Sequence, residues 1–282
     1  MTLTAAALQL CSTDDPAENA DLAVKTATAA IDAGATFVQT PEITNLVQRR
    51  RKAAAPLITT EADDKTLTAL RALAAARRVP IHIGSLVIRE GDTIRNRGYV
   101  IGPDAEILAR YDKIHMFDVD LPSGEGFRES ATFAPGSTAV TVDVAGARFG
   151  IAICFDLRFP SLFNAMSGAG ATVLTAPSCF TAETGRAHWH ILTRARAIEN
   201  GAYLVAAAQS GTHRDGRTTY GHALIVDPWG TVLAEADETP GFALATLDLA
   251  MVETVRRQIP VISARKTFSV DGAAHGDHAT TP

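Results

Sequence analysis

Tyr99-Val-Ile-Gly-Pro-Asp-Ala-Glu-Ile-Leu108 and Leu224-Ile-Val-Asp-Pro-Trp-Gly-Thr-Val-Leu233 are the two stretches on which the fold reading turns. Each sets apolar residues before a tight turn built from Gly, Pro and Asp, and apolar residues again after it. That is the pattern of a strand, a turn and a returning strand. Each also follows a strand–helix–strand passage: a helix over 66–78 and a strand over 81–88 precede the first, and a strand over 172–176, a helix over 187–199 and a strand over 203–208 precede the second. One unit used twice would be explained by two sheets of similar build, packed face to face with helices outside; the alternative is coincidence, since such hairpins are common.

The remaining elements fit around this frame. Residues 3–10 read as a first strand, 16–33 as a helix with Gly34 just past its end, and 36–40 as a strand halted by Pro41-Glu42. Residues 140–144 and 149–154 form a further pair of strands about an Ala-Gly turn. The stretch 114–136 has Pro, Gly and little periodicity, and a loop of that length in a compact domain is usually functional or disordered. No composition shift or linker divides the chain, so one domain is expected over 1–266, followed by a polar tail at 267–282.

The chain has 282 residues, 46% hydrophobic and 20% charged, enough for a sizeable core. A net charge of −5 gives no nucleic-acid footprint. The basic run Arg49-Arg50-Arg51-Lys52 reads as a solvated face. The three cysteines, Cys11, Cys154 and Cys179, are an odd and unpaired set that fits a reducing compartment. No basic n-region precedes the first apolar stretch, and no apolar run approaches the roughly 20 residues that span a bilayer. The expectation is a cytoplasmic protein with no membrane partner.

Three residues stand at strand ends, where open α/β sheets place their sites. Cys154 follows the apolar run Phe149-Gly-Ile-Ala-Ile, Glu42 follows 36–40, and Lys113 follows the returning strand of the first hairpin. Singly, each has an ordinary explanation: a buried inert thiol, a surface carboxylate, a solvated ammonium. Together they are the parts of acyl transfer: a nucleophile, a base and a cation for a developing oxyanion. A base and an ammonium nearby are expected to raise the reactive fraction of the thiol. Glu129 lies in the long loop. His188 and His190, two apart on a helix, point in different directions and so share no metal, and Met116, Phe117 and Trp229 read as packing.

With these residues in view, the chain resembles the nitrilase superfamily over nearly its whole length. Thr40-Pro41-Glu42, Tyr111-Asp112-Lys113-Ile114-His115 and Ile153-Cys154-Phe155-Asp156-Leu157-Arg158-Phe159-Pro160 fall in that family's order and spacing. The resemblance implies a four-layer α-β-β-α sandwich of two mixed sheets, with Glu42, Lys113 and Cys154 as catalytic residues and Glu129 as a second glutamate on the lysine. It implies no cofactor and no metal, a small-molecule amide substrate, and a homodimer or larger homo-oligomer. The stretches 176–181, 184–190, 194–199, 207–211 and 220–230 are similar to the Nit amidase branch. Ala207-Ala-Gln-Ser-Gly211 and Asp227 look more like its deaminated glutathione amidases than its ω-amidases. His190 stands where relatives usually carry Glu, and Cys179 where they usually carry Ala. The implied reaction holds the oxyanion with Lys113 and the Phe155 N–H. Arg158 and, less directly, Thr181 are the substrate-binding candidates, an arginine fork matching a carboxylate. The rival readings are an ω-amidase, nitrilase or N-carbamoyl amino acid hydrolase of the same superfamily, or an inactive scaffold that binds a partner.

Overall fold

Along the strand Thr2–Leu10, Leu3, Ala5 and Ala7 enter one hydrophobic core while Ala6, Leu8 and Leu10 enter another. A strand sends successive side chains to opposite faces, so its sheet is buried on both. The structure is a computed structural model of the chain and describes residues 2–269. Of the expected tail, 270–282 lie outside the described residues.

The first sheet runs Thr218–Tyr220, Ala208–Thr212, Thr2–Leu10, Phe37–Gln39, Ile81–Glu90, Thr93–Ile101 and Ile107–Asp112, with Gly241–Asp248 also paired antiparallel to Thr2–Leu10. The second runs Val232–Glu235, Leu224–Val226, Tyr203–Ala206, Val173–Thr175, Ala147–Ile151 and Val140–Val144. Both mix parallel and antiparallel pairs. The two echoing hairpins lie one in each sheet, at Thr93–Ile101 with Ile107–Asp112 and at Leu224–Val226 with Val232–Glu235.

The sheets pack face to face. Phe37 of the first stacks on Phe149 of the second, ring centroids 4.4 Å apart. Outside the first sheet lie the helices Pro16–Asp32 and Lys65–Arg77, which supply Ala23, Ala27, Ala30, Leu67 and Leu70 to its outer core. Outside the second lie Pro160–Gly168 and Ala182–Asn200, with Phe163, Met166 and Trp189 turned inward. The result is the α-β-β-α sandwich. Truncating Phe149 to Ala would cost about 3–5 kcal/mol, since its ring spans the seam between the sheets.

One edge of this sandwich collects strand ends. Two antiparallel steps, from Ile81–Glu90 to Thr93–Ile101 to Ile107–Asp112, restore the direction of Phe37–Gln39, so Glu42 and Lys113 leave the first sheet on the same side. Ala147–Ile151 and Val173–Thr175 run parallel and deliver Cys154 and Cys179 from the second sheet. Gln39 ties the sheets together there: its Oε1 accepts from the Ala207 N–H at 2.7 Å and its Nε2 meets His82 Nδ1 at 3.0 Å. Burial pushes His82 down from 6.5 to about 3, so that ring is neutral in the fold.

Three elements differ from the expectation. The stretch 114–136 holds a small hairpin, Asp118–Asp120 against Gly126–Arg128, clamped by the Arg128–Asp120 ion pair at 2.9 Å. Strands of three residues are too short to show a period. The helix expected at 187–199 begins at Ala182, although Thr184 and Gly185 are poor helix formers, because Thr181 caps it by accepting from the Thr184 N–H. The strand expected at 149–154 ends at Ile151, because the chain turns at Cys154.

Candidate active site

Cys154 has φ +49°, the left-handed region that a non-glycine residue enters only when its surroundings hold it there. Its N–H donates to the Pro177 carbonyl at 2.9 Å, and the chain then winds into a single 3-10 turn over Cys154–Arg158. The fully buried carboxylate of Asp156 fixes that turn. It accepts from the Ile153 N–H at 2.9 Å, the Tyr111 hydroxyl at 2.7 Å and the His115 N–H at 3.0 Å. Tyr111 and His115 flank Lys113, so one carboxylate registers the thiol's turn against the lysine's strand. The Phe155 N–H, second in the turn, donates to no protein acceptor among the described residues.

Lys113 continues the ladder of its strand, its N–H donating to the Asn96 carbonyl at 3.0 Å. Its ammonium lies 2.8 Å from Glu42 Oε1 and 2.9 and 2.8 Å from the two oxygens of Glu129. Asn96 Nδ2 donates to both carboxylates, at 2.9 and 3.1 Å. The second oxygen of Glu42 accepts from the Cys179 N–H at 2.8 Å, and that of Glu129 from the Phe117 N–H at 2.6 Å. Lys113 is 2% exposed and Glu42 4%, so these charges are satisfied by one another and by amides rather than by water.

Gly84 makes this meeting possible. A Cβ there would sit 2.1 Å from the Thr40 carbonyl, 2.6 Å from that of Pro41 and 2.4 Å from Pro177 Cβ. The Glu42 and Cys179 segments converge on a place where no side chain fits.

The charges set the proton inventory. Burial alone would lower the Lys113 pKa, but Glu129 and Glu42 outweigh it, and the ammonium is held well above its ordinary 10.5. Burial pushes the Cys154 thiol well above 9.0 and the Glu42 charge adds to the rise; Lys113 and the Cys179 N–H oppose it without reversing it. The expectation of an enlarged thiolate fraction is therefore corrected: the raised pKa favours the protonated thiol, with the Glu42 carboxylate beside it. Burial likewise pushes Cys179 up to about 11.

Glu42, Lys113, Glu129, Cys154, Phe155, Arg158 and Thr181 all line one cavity of about 320 Å³, a size suited to a small molecule. Arg158 forms no ion pair among the described residues. Its guanidinium lies over the Phe155 and Phe180 rings at 5.8 and 5.4 Å, and its Nη1 is 3.2 Å from His188 Nδ1. Arg217, which sequence reasoning missed, also lines the cavity. Its Nη1 reaches Cys179 Sγ at 3.7 Å, its buried Nε has no partner, and no carboxylate pairs with it among the described residues. The run at 49–52 is not merely a solvated face, since Arg49 and Arg51 reach the cavity mouth. Phe117 packs against the Phe127 and Phe155 rings, centroids 5.1 Å away in each case, and also lines the cavity, while Trp229 is 55% exposed.

The profile of the family "Carbon-nitrogen hydrolase" matches residues 4–257. The chain belongs to the carbon-nitrogen hydrolase family. It is 39% identical over 271 residues to a protein of Synechocystis sp. named deaminated glutathione amidase, covering 93% of this chain and 97% of that one. Among solved structures, the Caenorhabditis elegans NitFhit protein superposes with a TM-score of 0.87 at 33% identity; the match covers 94% of this chain and 65% of that longer one. Saccharomyces cerevisiae Nit3, described as a member of branch 10 of the nitrilase superfamily, superposes with a TM-score of 0.82 at 27% identity, covering 94% and 97%. As a carbon-nitrogen hydrolase, the chain is an enzyme that cleaves C–N bonds other than peptide bonds. No described helix is long and apolar enough to cross a membrane.

Asn96 and Asp156 also escaped the sequence reading. The signal for Asn96 was a polar amide, poor in strands, in the middle of Ile94-Arg-Asn-Arg-Gly-Tyr. Asp156 lay inside the quoted Cys154 stretch, but nothing there showed that it holds the turn.

Proposed function

We propose that the enzyme hydrolyses the carboxamide of a small carboxylate-bearing acid, of the deaminated glutathione kind, with Cys154 as nucleophile. Glu42 takes the thiol proton as Sγ attacks the carbonyl carbon, and Lys113 and the Phe155 N–H hold the resulting oxyanion. The tetrahedral species collapses with its C–N bond breaking, and Glu42 returns the proton so that ammonia leaves and a thioester remains. Glu42 then removes a proton from water, hydroxide adds to the thioester, and the C–S bond breaks to give the carboxylate and the thiol. Glu129 holds Lys113 in place throughout. One observation carries the reading: thiol, carboxylate and ammonium line the same cavity as two arginines, Arg158 and Arg217, that have no carboxylate of their own. The name of the Synechocystis relative agrees with such a substrate.

Thr181 lines the cavity beside Arg158 and is our further substrate contact. The exposed apolar residues Ile191 and Ile198 on the helix Ala182–Asn200, with Trp229 and Leu233 of the neighbouring hairpin, support assembly into a homodimer or larger homo-oligomer. The unpaired cysteines support a cytoplasmic location.

Ammonia release across keto-acid ω-amides, deaminated glutathione, N-carbamoyl acids and nitriles tests the assignment. Deaminated glutathione should give the highest kcat/KM, and Cys154→Ala should abolish turnover while the protein still folds. A preference for nitriles, or turnover near wild type in the Cys154 variant, would overturn it.

A further inference from the structure

His190 and His222 both point a ring nitrogen at one oxygen of Glu235. His190 Nε2 lies 2.9 Å and His222 Nδ1 2.6 Å from Glu235 Oε1, and the three ligand atoms all lie within 4.8 Å of one another. None of the three lines the catalytic cavity. We propose that they form a binding site for a divalent transition-metal ion of the zinc class, separate from the chemistry above and independent of the substrate assignment.

The three ligands come from different elements. His190 is on the helix Ala182–Asn200, Glu235 ends the strand Val232–Glu235, and His222 lies in the turn after Thr218–Tyr220. Helical spacing keeps the rejected pair apart: His188 turns to Arg158 and His190 to Glu235. The His222 ring is held before any ion arrives. Its backbone has φ +59°, its carbonyl accepts from the Trp189 indole N–H at 2.8 Å, and its ring stacks on Tyr220 at 4.4 Å. Tyr220 reaches that position only because residue 185 is glycine, where a Cβ would lie 2.3 Å from the tyrosine side chain.

Donor chemistry selects the ion. Two imidazoles and a carboxylate, with water completing the sphere, form a common three-ligand set for zinc, whereas calcium and magnesium favour all-oxygen sites. Ligands about 2.0–2.2 Å from a tetrahedral ion stand roughly 3.3 Å from one another. The two nitrogen–oxygen separations, 2.9 and 2.6 Å, need to open by less than ~1 Å to reach that value, which rotation of the partly exposed Glu235 side chain supplies. As the structure stands, each imidazole reaches the shared oxygen as a neutral or charged N–H donor. Binding replaces those two protons with the ion. A bound ion would join the helix whose first turn carries Thr181 and Thr184 at the cavity to the strand pair beside it.

The test is calorimetric titration of the full chain with Zn²⁺, repeated on His190→Gln and Glu235→Gln. Circular dichroism checks that both variants remain folded, and cobalt substitution supplies a visible spectrum for the coordination sphere. Wild type should take up one more equivalent than the variants, or bind it at least about 10-fold more tightly, with a tetrahedral Co²⁺ band absent from both. Because His275 and His278 are common to all three proteins, the difference isolates this site. Equal stoichiometry and affinity in wild type and variants, or no uptake by wild type, would overturn the proposal.

Discussion

The two walls of the cavity handle charge in opposite ways. On one, Glu42, Lys113 and Glu129 are joined by Asn96 and two backbone N–H groups, with contacts between 2.6 and 3.1 Å. On the other, Arg158 and Arg217 lie against aromatic rings and a thiol, with no carboxylate within ion-pair distance among the described residues. Burying a charge without an ion-pair partner is costly, so a protein that pairs the charges of one wall and leaves those of the other without such partners supports the proposed carboxylated substrate. In the proposed mechanism the closed wall does chemistry with groups whose positions are fixed before substrate arrives, and the open wall recognises.

This contrast breaks most sharply at Lys113. Lys113→Met leaves two buried carboxylates facing each other without their cation, and stability should fall by about 3–5 kcal/mol in a denaturant titration. Turnover of whatever remains folded should fall by roughly 10²–10³-fold or more through loss of the oxyanion partner. Removing charge from the open wall should do something different. Arg217→Met should cost far less stability, since no ion pair is lost with it among the described residues. Losing a charge-assisted contact worth about 1.5–3 kcal/mol should raise KM for a carboxylated amide by roughly 10–100-fold. A neutral amide of similar size should show no such change, and equal losses on both substrates would mean that Arg217 supports the fold rather than the anion.

A smaller effect sharpens the picture of the closed wall. With its pKa held well above 9.0, the Cys154 thiol stays protonated at pH 7. Iodoacetamide should therefore modify it more slowly than free cysteine there. The rate should still be climbing with pH above the point where a free thiol levels off. Mass spectrometry of the Cys154 peptide over a pH series measures this. Fast modification at neutral pH would mean that a thiolate is already present.

Much of this was legible in the sequence, and the reasons differ by region. Two sheets were suggested by the hairpins at 99–108 and 224–233, because tight turns between apolar runs are local features, and the four-layer sandwich came from the resemblance. The seven candidate site residues were named from strand ends and the resemblance, and they line a single cavity. What escaped were residues whose roles depend on contacts across the chain. Asn96 bonds two carboxylates from segments 54 and 33 residues away. Asp156 gathers Tyr111 and His115 across 45 and 41 residues. Arg217 follows an ordinary polar turn, and nothing in His213-Arg-Asp-Gly-Arg217 tells which arginine turns inward. The raised thiol pKa is also a property of burial, which a short motif does not encode.

The most direct measurement is the intact mass of enzyme quenched within one turnover on deaminated glutathione. If sulfur, carboxylate and ammonium act together as proposed, wild type will carry the substrate minus ammonia as an adduct mapping to Cys154. The adduct should persist longer in Glu42→Gln, to whatever extent that variant acylates, and be absent from Cys154→Ala. Ammonia release without an adduct at that position, undiminished in Cys154→Ala, would contradict the account.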